Sequence, residues 1–84
     1  VMDRENVFTM ESALERMREL IGFAGDWTDI ASYLPEGWRA DPRRHRSATA
    51  SHFAAALELV KEGKLELRQA ETFSPIQLRR KATP

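Results

Sequence analysis

The stretch Phe53-Ala-Ala-Ala-Leu-Glu-Leu-Val-Lys-Glu-Gly-Lys-Leu-Glu-Leu-Arg68 changes its period once, at the glycine, and that change decides the fold. Before Gly63, apolar residues recur at three- and four-residue spacing (Phe53, Ala56, Leu57, Val60), the stripe of a helix. Gly63 then stands in the position just past a helix end, where glycine is favoured. After it, Leu65 and Leu67 alternate with Glu66 and Arg68, the period of a strand. Beyond an Ala70–Pro75 connection, Ile76 and Leu78 alternate with Gln77 and Arg79. The two alternating runs predict a β-hairpin, with Pro75 just before the second strand, where its missing N–H does little harm.

Upstream, the long helix begins between Arg43 and Ser47 and runs to Glu62. An earlier helix is predicted from a Thr9 cap through Met10, Ala13, Leu14, Met17, Leu20 and Ile21, with Gly22 and Gly25 ending it. Between the two, Asp26 or Thr28 caps a short helix in which Trp27, Ile30, Ala31 and Leu34 share one side. Pro35-Glu36-Gly37 reads as a turn and Trp38 to Pro42 as a loop. Val7-Phe8 is a pair that could add a short strand. Residues 1–6 read as a linker remnant, 7–80 as one domain and 81–84 as a flexible tail. The expected class is α+β, mostly helical: three helices and a C-terminal β-hairpin, the chain order of a winged helix.

With 84 residues the chain is one domain, above the ~40-residue size that needs metals or disulfides. Zero cysteines exclude a disulfide scaffold, a thiolate metal site and a cysteine nucleophile. No apolar run approaches the roughly 20 residues of a membrane span, so no membrane partner is expected. Lysine and arginine total 13 against 13 carboxylates, which excludes a nucleic-acid binder driven by bulk positive charge. A first residue of Val1 instead of Met reads as a fragment or a processed product.

The chemistry of catalysis is not in evidence. His45 and His52 lie seven apart, near one side of a continuous helix but roughly 10 Å from each other, too far to share a metal. Glu11, Glu15 and Glu19 at four-residue spacing read as a solvated face with nearby arginines, not as an acid/base pair. No cofactor, metal or catalytic residue is expected. One basic cluster, Arg43, Arg44 and Arg46 with Arg39 and His45, keeps DNA contact as the alternative function, a transcription regulator reading the major groove. Against it, Ser47 to Ser51 offer no Asn, Gln or Arg for bidentate base contacts, and the hairpin connection carries an acid and no base.

A more specific signal is the width of the apolar arc on the long helix. At about 100° per residue, Ala48, Thr49, Ala50, His52, Phe53, Ala55, Ala56, Leu57, Leu59 and Val60 cover roughly 220°. Only Ser51, Glu58, Lys61 and Glu62 mark a wet side. A stripe of ~100° or somewhat more suffices to pack a helix on a small domain. The surplus is either covered by the hairpin or left for a partner, with Phe53 and Leu57 at its edge.

The run Phe53 to Gln69, followed by Phe73-Ser-Pro-Ile76, resembles the C-terminal domain of the bacterial kleisin, segregation and condensation protein A. That family carries a Phe-x-x-x-Leu-Glu-Leu-Val helix end, a glycine, an alternating strand closing on Gln, and Phe-x-x-Ile before the last strand. Trp27-Thr-Asp-Ile with Leu34-Pro-Glu-Gly-Trp38 is also similar to family versions from some proteobacteria. The resemblance covers roughly residues 7–80 and implies a non-catalytic, cytoplasmic and nucleoid-associated scaffold for chromosome condensation and segregation. It implies docking of this domain on an Smc ATPase head, binding of segregation and condensation protein B by the kleisin's middle region, and only indirect contact with chromosomal DNA. By similarity the docking face includes Phe53 and Leu57, and we extend it to Ala50 and Ala54. Alanines 54–56 are smaller than the leucines common in relatives, and the Arg43–Arg46 cluster has no assigned role in Smc binding.

Overall fold

Thr9, in extended conformation, accepts the backbone N–H of Ser12 on its side chain and starts helix α1, Met10–Leu20. In this computed structural model, residues 7–23, 25–72 and 74–81 are described. The helix tightens into a single 3₁₀ turn over Ile21–Phe23, so the reading of its extent holds to within that turn. Its inward residues Ala13 and Met17 are fully buried.

The short helix expected over Trp27 to Leu34 is not there. Thr28–Asp29 form strand β1, and the Asp29 carboxylate caps one 3₁₀ turn over Ile30–Tyr33. The physical reason is a distant partner: β1 pairs antiparallel with the last strand, Thr28 opposite Leu78, and Ile30 N–H donates to Ile76 O at 2.8 Å. Four apolar residues over about two turns do not outweigh that ladder. A second 3₁₀ turn, Glu36–Trp38, occupies the Pro35-Glu36-Gly37 turn and the start of the expected loop. The three-helix expectation is therefore corrected to two α-helices joined by strand and 3₁₀ turns.

Helix α2 spans Pro42–Lys61 and starts earlier than the expected Arg43–Ser47 window. Asp41 accepts the backbone N–H groups of Arg43 and Arg44, and Pro42 occupies the first helical position, where a missing N–H costs nothing. Gly63 follows with φ 77°, a left-handed conformation that glycine adopts without strain. Strands β2, Leu65–Arg68, and β3, Gln77–Arg80, pair antiparallel, and the sheet order is β1-β3-β2. The register puts Leu65, Leu67 and Leu78 on the inner face and Glu66, Arg68, Gln77 and Arg79 on the outer one. Lys81 N–H donates to Lys64 O at 3.0 Å, so pairing reaches one residue into the expected tail. Residues 1–6 and 82–84, and Phe73 of the resemblance, lie outside the described residues.

The core forms where α1, α2 and the inner face of the sheet meet: Met17, Ile21, Ile30, Tyr33, Leu59, Leu65 and Leu78 around Ala13, Ala55 and Ala56. The alanines explain their own size, since small side chains let two helices approach closely. Val7 and Phe8 form no strand. Phe8 N–H donates to the Ser47 hydroxyl at 2.9 Å, and Ser51, one turn on, donates its hydroxyl to Phe8 O. Its ring meets Trp38 edge-on at 5.0 Å and lies 4.9 Å from the His52 ring. Ser51 thus holds the N-terminal segment and does not mark a wet side, as its position on the arc suggests.

Candidate interaction surface

Ala50, Phe53 and Leu57 follow one another along α2 on the side roughly opposite the buried Ala48, Ala55 and Leu59. Ala50 is exposed, Leu57 is 45% exposed, and Phe53 is half-buried against the core margin. The hairpin covers part of this side and leaves the rest open. Between α2 and the hairpin runs a groove of two joined parts that share Phe53 and Ile76. The larger, about 720 Å³, reaches toward the start of α2 and is lined by Ala50, Thr49, Pro42, Arg46, His45 and Arg39. The smaller, about 280 Å³, reaches toward the hairpin connection and is lined by Leu57, Leu67, Arg68 and Gln69.

Three of the four expected docking residues therefore come together, and Ala54 does not join them. It is half-buried, one step around the helix, and lines neither part of the groove. Val60, 37% exposed, continues the apolar side beyond the groove. The opposite wall, Leu67 and Ile76, carries a signal in the sequence: Leu67 lies on the apolar phase of β2, and Ile76, just before β3, keeps the phase of Leu78. Only the pairing of those strands shows that they face α2.

The basic cluster does not form one patch. Arg44 donates from Nη1 to Gly37 O at 3.0 Å, and its guanidinium lies 4.9 Å from the centre of the Trp38 ring. Arg43 and Arg46 are exposed; Arg46 lines the groove together with Arg39 and His45, and Arg43 does not. Arg39 donates from Nε to Leu34 O and from Nη2 to Ser32 O, both at 3.0 Å. This clamps the 3₁₀ turns beneath the groove. Trp27 lies between two guanidiniums, Arg68 at 4.2 Å and Arg79 at 4.6 Å, on the outer face of the sheet. Nothing in the local pattern of Trp27 points to that arrangement, because both arginines come from strands some forty or more positions away.

His52 is fully buried on the opposite side of α2. Its Nδ1 lies 2.7 Å from Ala48 O; a carbonyl only accepts, so Nδ1 carries the proton. Nε2 has no partner among the described residues. Burial pushes this imidazole below its ordinary value of 6.5, the Ala48 contact works against that, and the charge of Arg16 adds to it. Burial likewise pushes the Tyr33 phenol up. Arg16 itself donates to Tyr33 O at 3.0 Å, tying α1 to the 3₁₀ turn. Arg18 does not pair with its helix neighbours but reaches Glu62 with two hydrogen bonds of 2.8 Å. Among the described residues no group of His, Cys, Asp and Glu side chains is placed to hold a metal ion. No helix among them is long and apolar enough to cross a membrane.

The groove offers apolar contact and basic charge. Known proteins add nothing to this picture, for no family model matches the chain and no curated protein matches its sequence.

Proposed function

We propose that this chain is the C-terminal winged-helix domain of a bacterial kleisin of the segregation and condensation protein A type, docking on the ATPase head of an Smc protein. The observation that carries the reading is the open groove beside Ala50, Phe53 and Leu57, apolar surface that the fold leaves uncovered. It falls on the helix side that the family resemblance implies for docking. The strand order supports the same reading: β1, lying between the two helices in sequence, pairs with the second strand of the hairpin. Such a pairing is in keeping with a winged helix, on which reading the 3₁₀ turns stand in for its middle helix.

The domain works by contact alone. It anchors one end of a scaffold whose other end holds a second Smc subunit and whose middle binds a dimer of segregation and condensation protein B. DNA is enclosed by the ring so formed, in the nucleoid, without contact to this domain.

Titrating the chain with a purified Smc head tests the reading. Leu57→Glu and Ala50→Glu, both at exposed positions, are expected to weaken binding about tenfold or more while circular dichroism stays unchanged. Phe53→Arg serves less well, because Phe53 also packs against the core. Undiminished binding by the folded variants overturns the site. A chain that ignores the head but shifts duplex DNA, and loses the shift when Arg43, Arg44 and Arg46 become alanine, is a DNA reader instead.

A further inference from the structure

Phe8 sits on α2 by its backbone and by its ring. Its N–H donates to the Ser47 hydroxyl at 2.9 Å, and its carbonyl accepts the Ser51 hydroxyl. The ring lies 4.9 Å from the His52 ring and meets Trp38 edge-on at 5.0 Å. Thr9, the next residue, already serves α1: its side chain accepts the Ser12 N–H and its carbonyl the Ala13 N–H. Val7 and Phe8 therefore form a strap that can lift from α2 while the cap of α1 stays intact. Ser47 and Ser51 lie on the side of α2 away from Phe53, so the strap is separate from the groove.

Against the strap lies His52, fully buried, with Nδ1 committed to Ala48 O and Nε2 without a partner among the described residues. A proton taken up by this ring goes to Nε2, where it makes a buried charge with no acceptor. The elements around it offer no relief. From α1, Arg16 acts on the ring with a further positive charge, and its own Nε–H goes to the neutral Tyr33 O. The Ile30–Tyr33 turn adds the Tyr33 phenol, which burial pushes up, so it carries no charge at acid pH. The Glu36–Trp38 turn keeps its carboxylate, Glu36, out in solvent, and its Trp38 ring carries the Arg44 guanidinium at 4.9 Å. Core neighbours on α1 and the sheet stay in place as long as the fold does. The strap rests on two hydrogen bonds and one ring, so lifting it is the least costly way to bring water to a charged imidazole.

We propose that Val7 and Phe8 form a pH-sensitive latch, which protonation of His52 releases from α2. With the imidazole neutral the strap is seated. With a proton on Nε2 the strap lifts, and His52 turns its charge to water. The latch decides whether the chain ahead of Thr9 is pinned along α2 or free to leave it. It stands on the flank of α2 away from the groove and does not depend on what docks there.

Amide exchange followed by NMR tests the latch, with the Phe8 N–H reporting the strap and the Leu59 N–H the core. At about pH 7.5 Phe8 is expected to be protected at least about tenfold less than Leu59, because the strap opens without the fold. One unit below 6.5 a solvated imidazole is about tenfold more often charged than neutral, so Phe8 protection falls severalfold, up to about tenfold, by about pH 5.5. Linkage runs both ways, so Phe8→Ala is expected to raise the His52 midpoint toward 6.5, read from its ring carbons. In His52→Phe the protection of Phe8 no longer depends on pH. Phe8 protection equal to that of Leu59 overturns the proposal, since the strap then opens only with the whole fold. Phe8 protection indifferent to pH overturns it too, as does a slope that survives His52→Phe. Should His52→Phe not fold, the Phe8→Ala chain decides alone: a His52 midpoint unchanged from the parent overturns the latch.

Discussion

Leu57 and Leu59 stand two positions apart on α2, with the same side chain in the same helix, and the fold treats them oppositely. Leu59 is fully buried where α1, α2 and the sheet meet; Leu57 is 45% exposed beside the groove. The contrast extends to their neighbours. Beside Leu59 and His52, the buried side of α2 carries Ala48, Ala55 and Ala56, small enough for α1 to approach, whereas the open side carries Phe53, Leu57 and Val60 beside Ala50. A large residue is spent where the domain itself gains less from it. That distribution suits a helix which packs through one side and offers the other to a partner.

Truncating each leucine to alanine sharpens the contrast most. Leu59→Ala is expected to cost about 2–5 kcal/mol in urea unfolding, from lost burial and the cavity left behind. On a domain of this size such a loss removes a large share of its stability. Leu57→Ala is expected to cost less than about 1 kcal/mol, since half its surface already meets water and alanine favours the helix. Equal costs would mean that the open side is part of the core. Next in size comes the end of α2, which both sides share. Gly63 has φ 77° with nothing within 4 Å of an added Cβ, so Gly63→Ala meets backbone strain alone. The expected loss is about 1–2 kcal/mol, and Gly63→Asn, which tolerates that conformation better, recovers part of it.

Much of this was readable from local pattern. The period change at Gly63 marks the end of α2 and the start of the hairpin, and the stripe from Met10 to Leu20 marks α1. The excess apolar arc points to Ala50, Phe53 and Leu57. What local pattern misses is set by distant partners. Thr28 and Asp29 become a strand because Leu78 and Gln77 lie beside them, and two residues show no period. Phe8 is held by hydroxyls 39 and 43 positions away. The start of α2 is a different case: Asp41-Pro42 is a legible cap, masked by the run of arginines that follows. Of the groove, the helix wall and the basic residues at its start are legible in the sequence, and the facing wall of Leu67 and Ile76 emerges only once the hairpin is folded against α2.

The buried side also carries a pH dependence that the open side lacks the burial to produce. Burial holds the His52 imidazole below 6.5, so between its folded value and 6.5 the unfolded chain binds more protons than the folded one. Stability then rises with pH across that window and declines as pH falls below about 6.5. A proton on Nε2 would be a buried charge with no acceptor among the described residues. Urea midpoints at pH 7.5 and about 5.5 measure the slope, and His52→Phe is expected to flatten it. A slope that survives the substitution assigns the dependence to another group.

The smallest effect belongs to a contact outside both sides of the comparison. Arg18, near the end of α1, makes two 2.8 Å hydrogen bonds to Glu62, the residue that closes α2. Those bonds hold the Glu62 carboxyl below its ordinary value of 4.5, with Lys64 adding to the effect. The folded state therefore gains from the ionised carboxylate above that value, and the gain is lost as pH falls through the folded one. Because both side chains remain partly exposed, water and salt screen the pair. Glu62→Gln is expected to lower the urea midpoint slightly at pH 7 and low salt, and not at all at about 1 M salt. The pair fastens α1 to α2 on the side away from the groove, so the substitution should leave binding at Leu57 unchanged. Weakened binding in a Glu62→Gln chain that is otherwise stable would show that the two sides of α2 are coupled through the helix end.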